Sequence, residues 1–238
     1  MHRTLLNLVR TVSGLAYRYG SLFFRIKYAI VTSFLATAVT DVSKETGETQ
    51  KLYGLDSKND FQRYYGLQCL RARRLVEAGV RFVEITCPLT HANNSPWDQH
   101  GQIKKYHEEN ALITDRAVAA LITDLKRCGL LDSTVVLWAG EMGRTPHTPA
   151  LSANAGRDHH VNGYSAVLTG GGFKGGTTFG ATDEFGNAVA EHPLTVHDVH
   201  ATILHQLGID HTRQTFRFGG RDHRLTDVHG RVVSDLLT

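Results

Sequence analysis

Apolar and polar positions sort this chain into regular units from about residue 60 onward. Along FQRYYGLQCLRARRLVEAGV, Phe61, Tyr64, Tyr65, Cys69, Ala72 and Val76 recur at helical spacing, and Gly79 supplies a stop. Arg81–Thr86 then alternates like a short strand. Residues 101–128 carry the longest helical pattern. Ile103, Tyr106, His107, Asn110, Ile113, Ala117, Ala120, Leu121, Leu125 and Cys128 share one side, and Gly129 is placed as a C-cap. Val135–Ala139 is uninterrupted apolar, as expected of a strand covered on both faces. Ser165–Thr169 is a similar run, ending in Gly170, Gly171 and Gly172. Thr195 heads a last helical pattern, VHDVHATILHQLGI, with Gly208 near its end. Strands separated by helices of this length predict an α/β fold with helices covering a mainly parallel sheet. No internal repeat is visible.

Residues 1–40 read differently. They hold Arg3, Arg10, Arg18, Arg25 and Lys27 with no acid, and close on the apolar run Tyr28–Val39. That run, 12 residues long, is too short to cross a bilayer as a helix. Three readings stay open: a secretory signal with an unusually long charged portion, a surface-lying amphipathic helix, or a terminus unrelated to the fold. Asp41–Asn59 is polar and suits a boundary or a solvent-facing loop. The expected division is therefore a basic and apolar leader over residues 1–40 and a folded domain over residues 41–238.

Composition narrows the classes. A chain of 238 residues with 41% hydrophobic and 21% charged residues is neither a collagen, a coiled-coil rod nor a wholly disordered chain. Cys69, Cys87 and Cys128 are too few and too scattered for a disulfide framework or a thiolate metal cluster. The net charge of +3 belongs to the leader, whose +5 leaves a body of −2. Such a body does not argue for nucleic acid.

Histidine is the informative residue type. There are 14, and all but His2 lie at or beyond His91. Several stand beside carboxylates: WDQHG with Asp98 and His100, GRDHH with Asp158, His159 and His160, VHDVH, and GRDHR. Imidazole and carboxylate are the ligands a borderline or hard divalent ion accepts. In α/β sheets such groups gather on loops beyond strand ends. WDQHG follows the first predicted strand, and Glu141 comes one glycine after Val135–Ala139 in AGEMGRTP. These residues also have structural readings: Asp98 and His100 as a local loop pair, Glu141 as a turn cap, Arg144 as either an anion clamp or the partner of Asp158. His159 and His160 are adjacent, so an extended chain points them to opposite sides and at most one is a metal ligand. His107 reads as a satisfied core histidine. His197, His200 and His205 suit packing and capping. GGGFKGG precedes no helix, so it reads as a tight turn with Lys174 as a weak anion contact.

Four ordered blocks carry a resemblance: WDQHG, ALITDLKRCGLLDSTVVLWAGEMGRTP, GRDHHVNGYSAVLTGGGFKGGTTFGATDEFG and HDVHATILHQLGIDHTRQTFRFGGRDHRLTDVHG. Over roughly residues 41–238 they resemble the DUF-1501 family, bacterial proteins that look like distant members of the alkaline phosphatase and sulfatase superfamily. The resemblance implies a three-layer α/β/α sheet with a metal site at its C-terminal edge, and hydrolysis of phosphate or sulfate esters. Asp98 and His100 are similar to the Asp and His that hold one metal there. Glu141, followed by Met142, stands where members carry an Asp-His pair. His159 or His160 resembles the later histidine that completes the first metal. The assignment made on this pattern gives Asp98, His100, Glu141 and His159 to a divalent metal, with zinc ahead of manganese or calcium. It gives Arg144 to an anionic substrate and His160 to proton transfer.

Against that pattern the chain reads as a C-terminal portion only, truncated before the first strand, its metal-binding Asp and the nucleophile region, with a sheet incomplete on that side. Two functions follow. One is a metal-dependent hydrolase of an anionic small-molecule or glycan ester; the other is a non-catalytic metal-binding or structural fragment. Neither involves nucleic acid or an integral membrane span. Family members are usually exported, and the leader here carries no clear signal.

Overall fold

A computed structural model of the chain describes residues 38–88, 97–148 and 151–238; the leader reading for residues 1–37 lies outside them. The helical patterns fold as the spacing predicts. After a short helix α1 (Gly47–Leu52), capped by the Thr46 hydroxyl, come α2 (Asp60–Glu77) and α3 (Ile103–Arg127). The Asn59 side chain accepts from the N–H groups of Phe61 and Gln62 and starts α2. Gly129, at φ 68°, follows the end of α3 and takes the left-handed conformation its predicted capping role requires.

The two long helices build the core. Tyr65, Cys69 and Leu70 of α2 pack against Ile113, Ala117, Ala120, Leu121 and Leu125 of α3, with Tyr53 closing the cluster. Burial of each leucine there contributes on the order of 2–3 kcal/mol. Phe61 and Tyr64, expected on the packed side of α2, are exposed at its N-terminal end. Polar groups enter this core only in company. Asp124 accepts from the Tyr53 hydroxyl at 3.1 Å and Arg127 at 3.0 Å, and Arg73 Nε lies 2.9 Å from it. Arg73 also meets Glu45 at 2.7 Å and Glu77 at 2.6 Å. Burial, with the neighbouring Asp124 carboxylate, pushes the Tyr53 hydroxyl far above its ordinary pKa. Burial likewise pushes the Cys69 thiol up to about 12, and all three cysteines are free. The segment expected to be a polar boundary, Asp41–Asn59, is thus part of the fold. Its polar residues are used for capping and for the buried ion pairs of Glu45.

The strands depart from expectation. The chain is a mixed α/β fold, but its described strands form four separate two-stranded sheets, all antiparallel. β1 (Val136–Trp138) pairs with β4 (Val167–Thr169), β2 (Gly143–Arg144) with β3 (His159–His160), β5 (Ala181–Thr182) with β6 (Val189–Glu191), and β7 (Thr215–Phe218) with β8 (Arg221–Arg224). No large parallel sheet of the alkaline-phosphatase type is present among the described residues, which corrects the three-layer α/β/α expectation. The physical reason lies between the strands. A parallel partner needs a long crossover, usually a helix, and the described residues between β1 and β4 contain none. The apolar run Val135–Ala139 is accordingly not covered on both faces: Leu137 and Trp138 are each 45% exposed. Arg81–Thr86 keeps its alternation, with Val83 and Ile85 half-buried and Phe82 exposed, yet pairs with no described strand.

The last helix α4 (Val196–Gln206) starts at a capping box: Asp198 N–H donates to the Thr195 hydroxyl, and Thr195 N–H to the Asp198 carboxylate. Asp198 also accepts from Arg231 N–H at 2.8 Å, and the Thr202 hydroxyl from Val233 N–H at 3.0 Å, so α4 anchors the C-terminal segment. Lys174 is occupied within the fold, its Nζ donating to the Asp235 carbonyl at 3.0 Å. No helix among the described residues is long and apolar enough to cross a membrane.

Candidate metal centre

The WDQHG loop enters α3 alongside the turn that precedes β3. Gln102 N–H donates to the Asn154 carbonyl at 3.1 Å, Ile103 N–H to Ala155 at 3.0 Å, and Arg157 N–H to Gln99 at 3.0 Å. Gly156 permits this approach, because a Cβ there would lie 2.0 Å from the His100 backbone. Trp97 holds the other flank, edge-on to His107 of α3 at 5.3 Å and to Trp138 of β1 at 6.3 Å. Half-buried rather than fully enclosed, His107 has its pKa lowered by burial, with the charge of Arg144 adding to the effect. The second loop is fixed from AGEMGRTP. Thr145 N–H donates to the Asp158 carbonyl at 2.9 Å, Asp158 N–H to the Thr145 hydroxyl at 3.1 Å, and Arg157 Nη1 to the Thr145 carbonyl at 2.6 Å.

Antiparallel register then decides which histidine reaches the first loop. Arg144 lies opposite His159, and Gly143 opposite His160. Residues directly opposite share a face while neighbours alternate. His159 therefore joins Arg144 on the side facing Asp98. His160 turns inward, buried, with Nε2 donating to the Asn187 carbonyl at 2.8 Å.

Asp98, His100 and His159 form a candidate divalent-metal ligand cluster, each offering an atom within 4.8 Å of the others. Asp98 Oδ1 is 3.0 Å from His100 Nε2 and 2.9 Å from His159 Nε2. Neighbouring ligand atoms around an ion with bonds of about 2.0–2.2 Å stand about 3 Å or a little more apart, so these two separations are compatible with ligation. The orientation of His100 fits as well. Its Nδ1 faces Asp158 Oδ1 at 2.8 Å, the carboxylate contact that fixes a metal-binding imidazole and leaves Nε2 for the ion. The set of two imidazoles and a carboxylate suits a generic divalent ion and does not single out zinc.

Arg144 completes the cluster. Its Nη1 is 2.5 Å from Asp98 Oδ1 and its Nη2 3.6 Å from Glu141 Oε1. The hydrogen bond from His159, then that from Arg144 and its charge, hold the Asp98 carboxyl down at about 2. The pairing with Asp158 weighed for Arg144 in the sequence is not the one formed: Arg144 takes Asp98, and Asp158 takes His100. Glu141 stays exposed beside Arg144, outside the three-residue group. Sequence reasoning gave Asp158 no role toward His100, although GRDHH had marked it as a carboxylate beside histidines. It also passed over Gly156 and Trp97, whose roles depend on neighbours distant in sequence.

A family model described as "Protein of unknown function (DUF1501)" matches residues 24–237, and the chain belongs to that family. The match begins inside the segment expected to be a leader and covers nearly the whole chain. The reading of the chain as a C-terminal portion of the family pattern, confined to residues 41–238, is thereby corrected. No curated protein matches, and neither does any solved structure.

Proposed function

We propose that this DUF1501 protein is a metal-dependent hydrolase acting on an anionic ester, of which phosphate and sulfate esters are the two chemical forms to test. The observation that carries the reading is the exposed ligand set of Asp98, His100 and His159, the group of three found among the described residues. Structural metal sites are closed by four protein ligands, whereas catalytic sites keep a position open for water or substrate. Here, among the described residues, three ligands converge on a surface where His100 and His159 are each 49% exposed and Asp98 35%. A bound divalent ion would supply Lewis acidity and a water of lowered pKa. Asp98, His100 and His159 would hold it, Asp158 would fix the His100 ring, and Arg144 is the adjacent cation for an anionic group. Buried against Asn187, His160 has no contact with this cluster in the fold described, so the proton-transfer role is left to groups facing the cluster.

The test is elemental analysis of the purified protein together with hydrolysis of chromogenic phosphate and sulfate esters, for the wild type and Asp98→Ala. Near-stoichiometric metal and ester hydrolysis, both lost in Asp98→Ala, support the reading. The pairing of Arg144 with Asp98 favours a second one, a metal-binding domain without catalysis. Metal lost in Asp98→Ala, with no ester hydrolysis by the wild type, supports that alternative.

A further inference from the structure

The cation nearest the candidate ligands is part of the protein. Arg144 Nη1 contacts Asp98 Oδ1, the same oxygen that faces both imidazole Nε2 atoms. A divalent ion placed among those ligands must therefore draw on a carboxylate that already neutralises a guanidinium. We infer that Arg144 holds the place of the metal charge on Asp98, and that an ion entering the site releases it to bind a tetrahedral oxyanion, so that metal and oxyanion binding reinforce one another. This inference rests on the metal-binding reading above and deepens it.

Local charge gives the direction of the coupling. Among the described residues linked by these contacts, Asp98, Asp158 and Glu141 set three carboxylates against the guanidinium of Arg144, a balance of −2 with neutral imidazoles. An oxyanion approaching this arrangement meets repulsion, and the guanidinium that should receive it is engaged. A divalent ion brings the balance to zero and takes over Asp98. Ion and guanidinium are then two positive groups side by side, and an oxyanion between them relieves their repulsion. Arg144 can make the exchange: its side chain is 18% exposed, its contact to Glu141 is long at 3.6 Å, and both partners lie toward the surface. The coupling is reciprocal, so either ligand can be used to read it.

The test uses the full chain freed of metal by a chelator. Zinc affinity is measured by competition with an indicator dye, in chloride and in sulfate or dilute phosphate at fixed ionic strength. The wild type is expected to bind zinc on the order of 10-fold more tightly in the oxyanion buffer. Arg144→Gln is expected to bind zinc in chloride several-fold more tightly than the wild type, with the oxyanion effect gone. Arg144→Lys keeps the charge and is expected to restore part of that effect, and circular dichroism checks that both variants are folded. Equal zinc affinity in the two buffers, weaker zinc binding by Arg144→Gln in chloride, or coupling that survives Arg144→Gln overturns the inference while leaving the metal site standing. Absence of zinc binding that depends on Asp98 overturns both. A response to only one of sulfate and phosphate supports the inference and identifies which ester class to pursue.

Discussion

His159 and His160 leave the same two-residue strand in opposite directions, His159 to Asp98 at 2.9 Å and His160 to the Asn187 carbonyl at 2.8 Å. Their consequences on substitution should separate. His160→Ala removes a buried, hydrogen-bonded ring and should cost about 1–3 kcal/mol of stability, with metal affinity little changed. His159→Ala should do the reverse, because its ring is half exposed. Denaturant unfolding and metal titration of the two variants check the pair.

Asp158 acts on the cluster through His100. Asp158→Asn can still accept a hydrogen bond but no longer supplies the charge that fixes and polarises the ring. Metal affinity should fall by about 10–100-fold, with little loss of stability, since the Asp158 side chain is 63% exposed. Calorimetric titration with zinc or manganese, beside a melting curve, reads both effects.

Gly156 is a steric requirement of the site. Gly156→Ala places a methyl carbon 2.0 Å from His100 backbone atoms, so the two loops must separate. The expected cost is about 1–3 kcal/mol, accompanied by weakened metal binding. A lowered Tm and reduced metal content in the same variant would show that the approach of the two loops is what assembles the ligands.

Asp198 sets an acid limit on the C-terminal part of the fold. Burial alone would raise its carboxyl, but the N–H groups of Thr195 and Arg231 and the Thr195 hydroxyl outweigh burial and hold it below the ordinary carboxylate range. A carboxyl depressed in the folded state stabilises the protein fully above its unfolded pKa of about 3.9. That contribution disappears as the pH falls through the folded value. Asp198→Asn should therefore lose about 1–2 kcal/mol at neutral pH. The gap to the wild type should close below about pH 4. Unfolding curves at neutral and acid pH for the two proteins measure it.

What the sequence made legible were features set by near neighbours. Tyr65, Cys69 and Ala72, like Ile113, Ala117 and Leu121, recur at the helical period, and that period is a local property which survives in the fold. Thr195 announces its helix for the same reason. The opposite directions of His159 and His160 follow from strand alternation alone. Pairing between strands is not local. Val136–Trp138 is apolar enough for the middle of a parallel sheet, and only its partner Val167–Thr169, reached without an intervening described helix, makes it antiparallel and half exposed. Asp98 and His100 were recognisable as ligand types. That Arg144 would take Asp98 while Asp158 took His100 depends on how two loops dock, which residue spacing does not encode.

The order in which the chain is made bears on when such a centre can exist. Every buried residue of the helical core cluster lies between Tyr53 and Leu125, whereas the third ligand, His159, stands 61 positions beyond Asp98. During synthesis from the N terminus the α2–α3 pair can close before His159 has left the ribosome. An ion could thus be captured only once the GRDHH loop has docked on a core already packed. Metal acquisition would be a maturation step, one that rewards finished molecules and does not template unfinished ones.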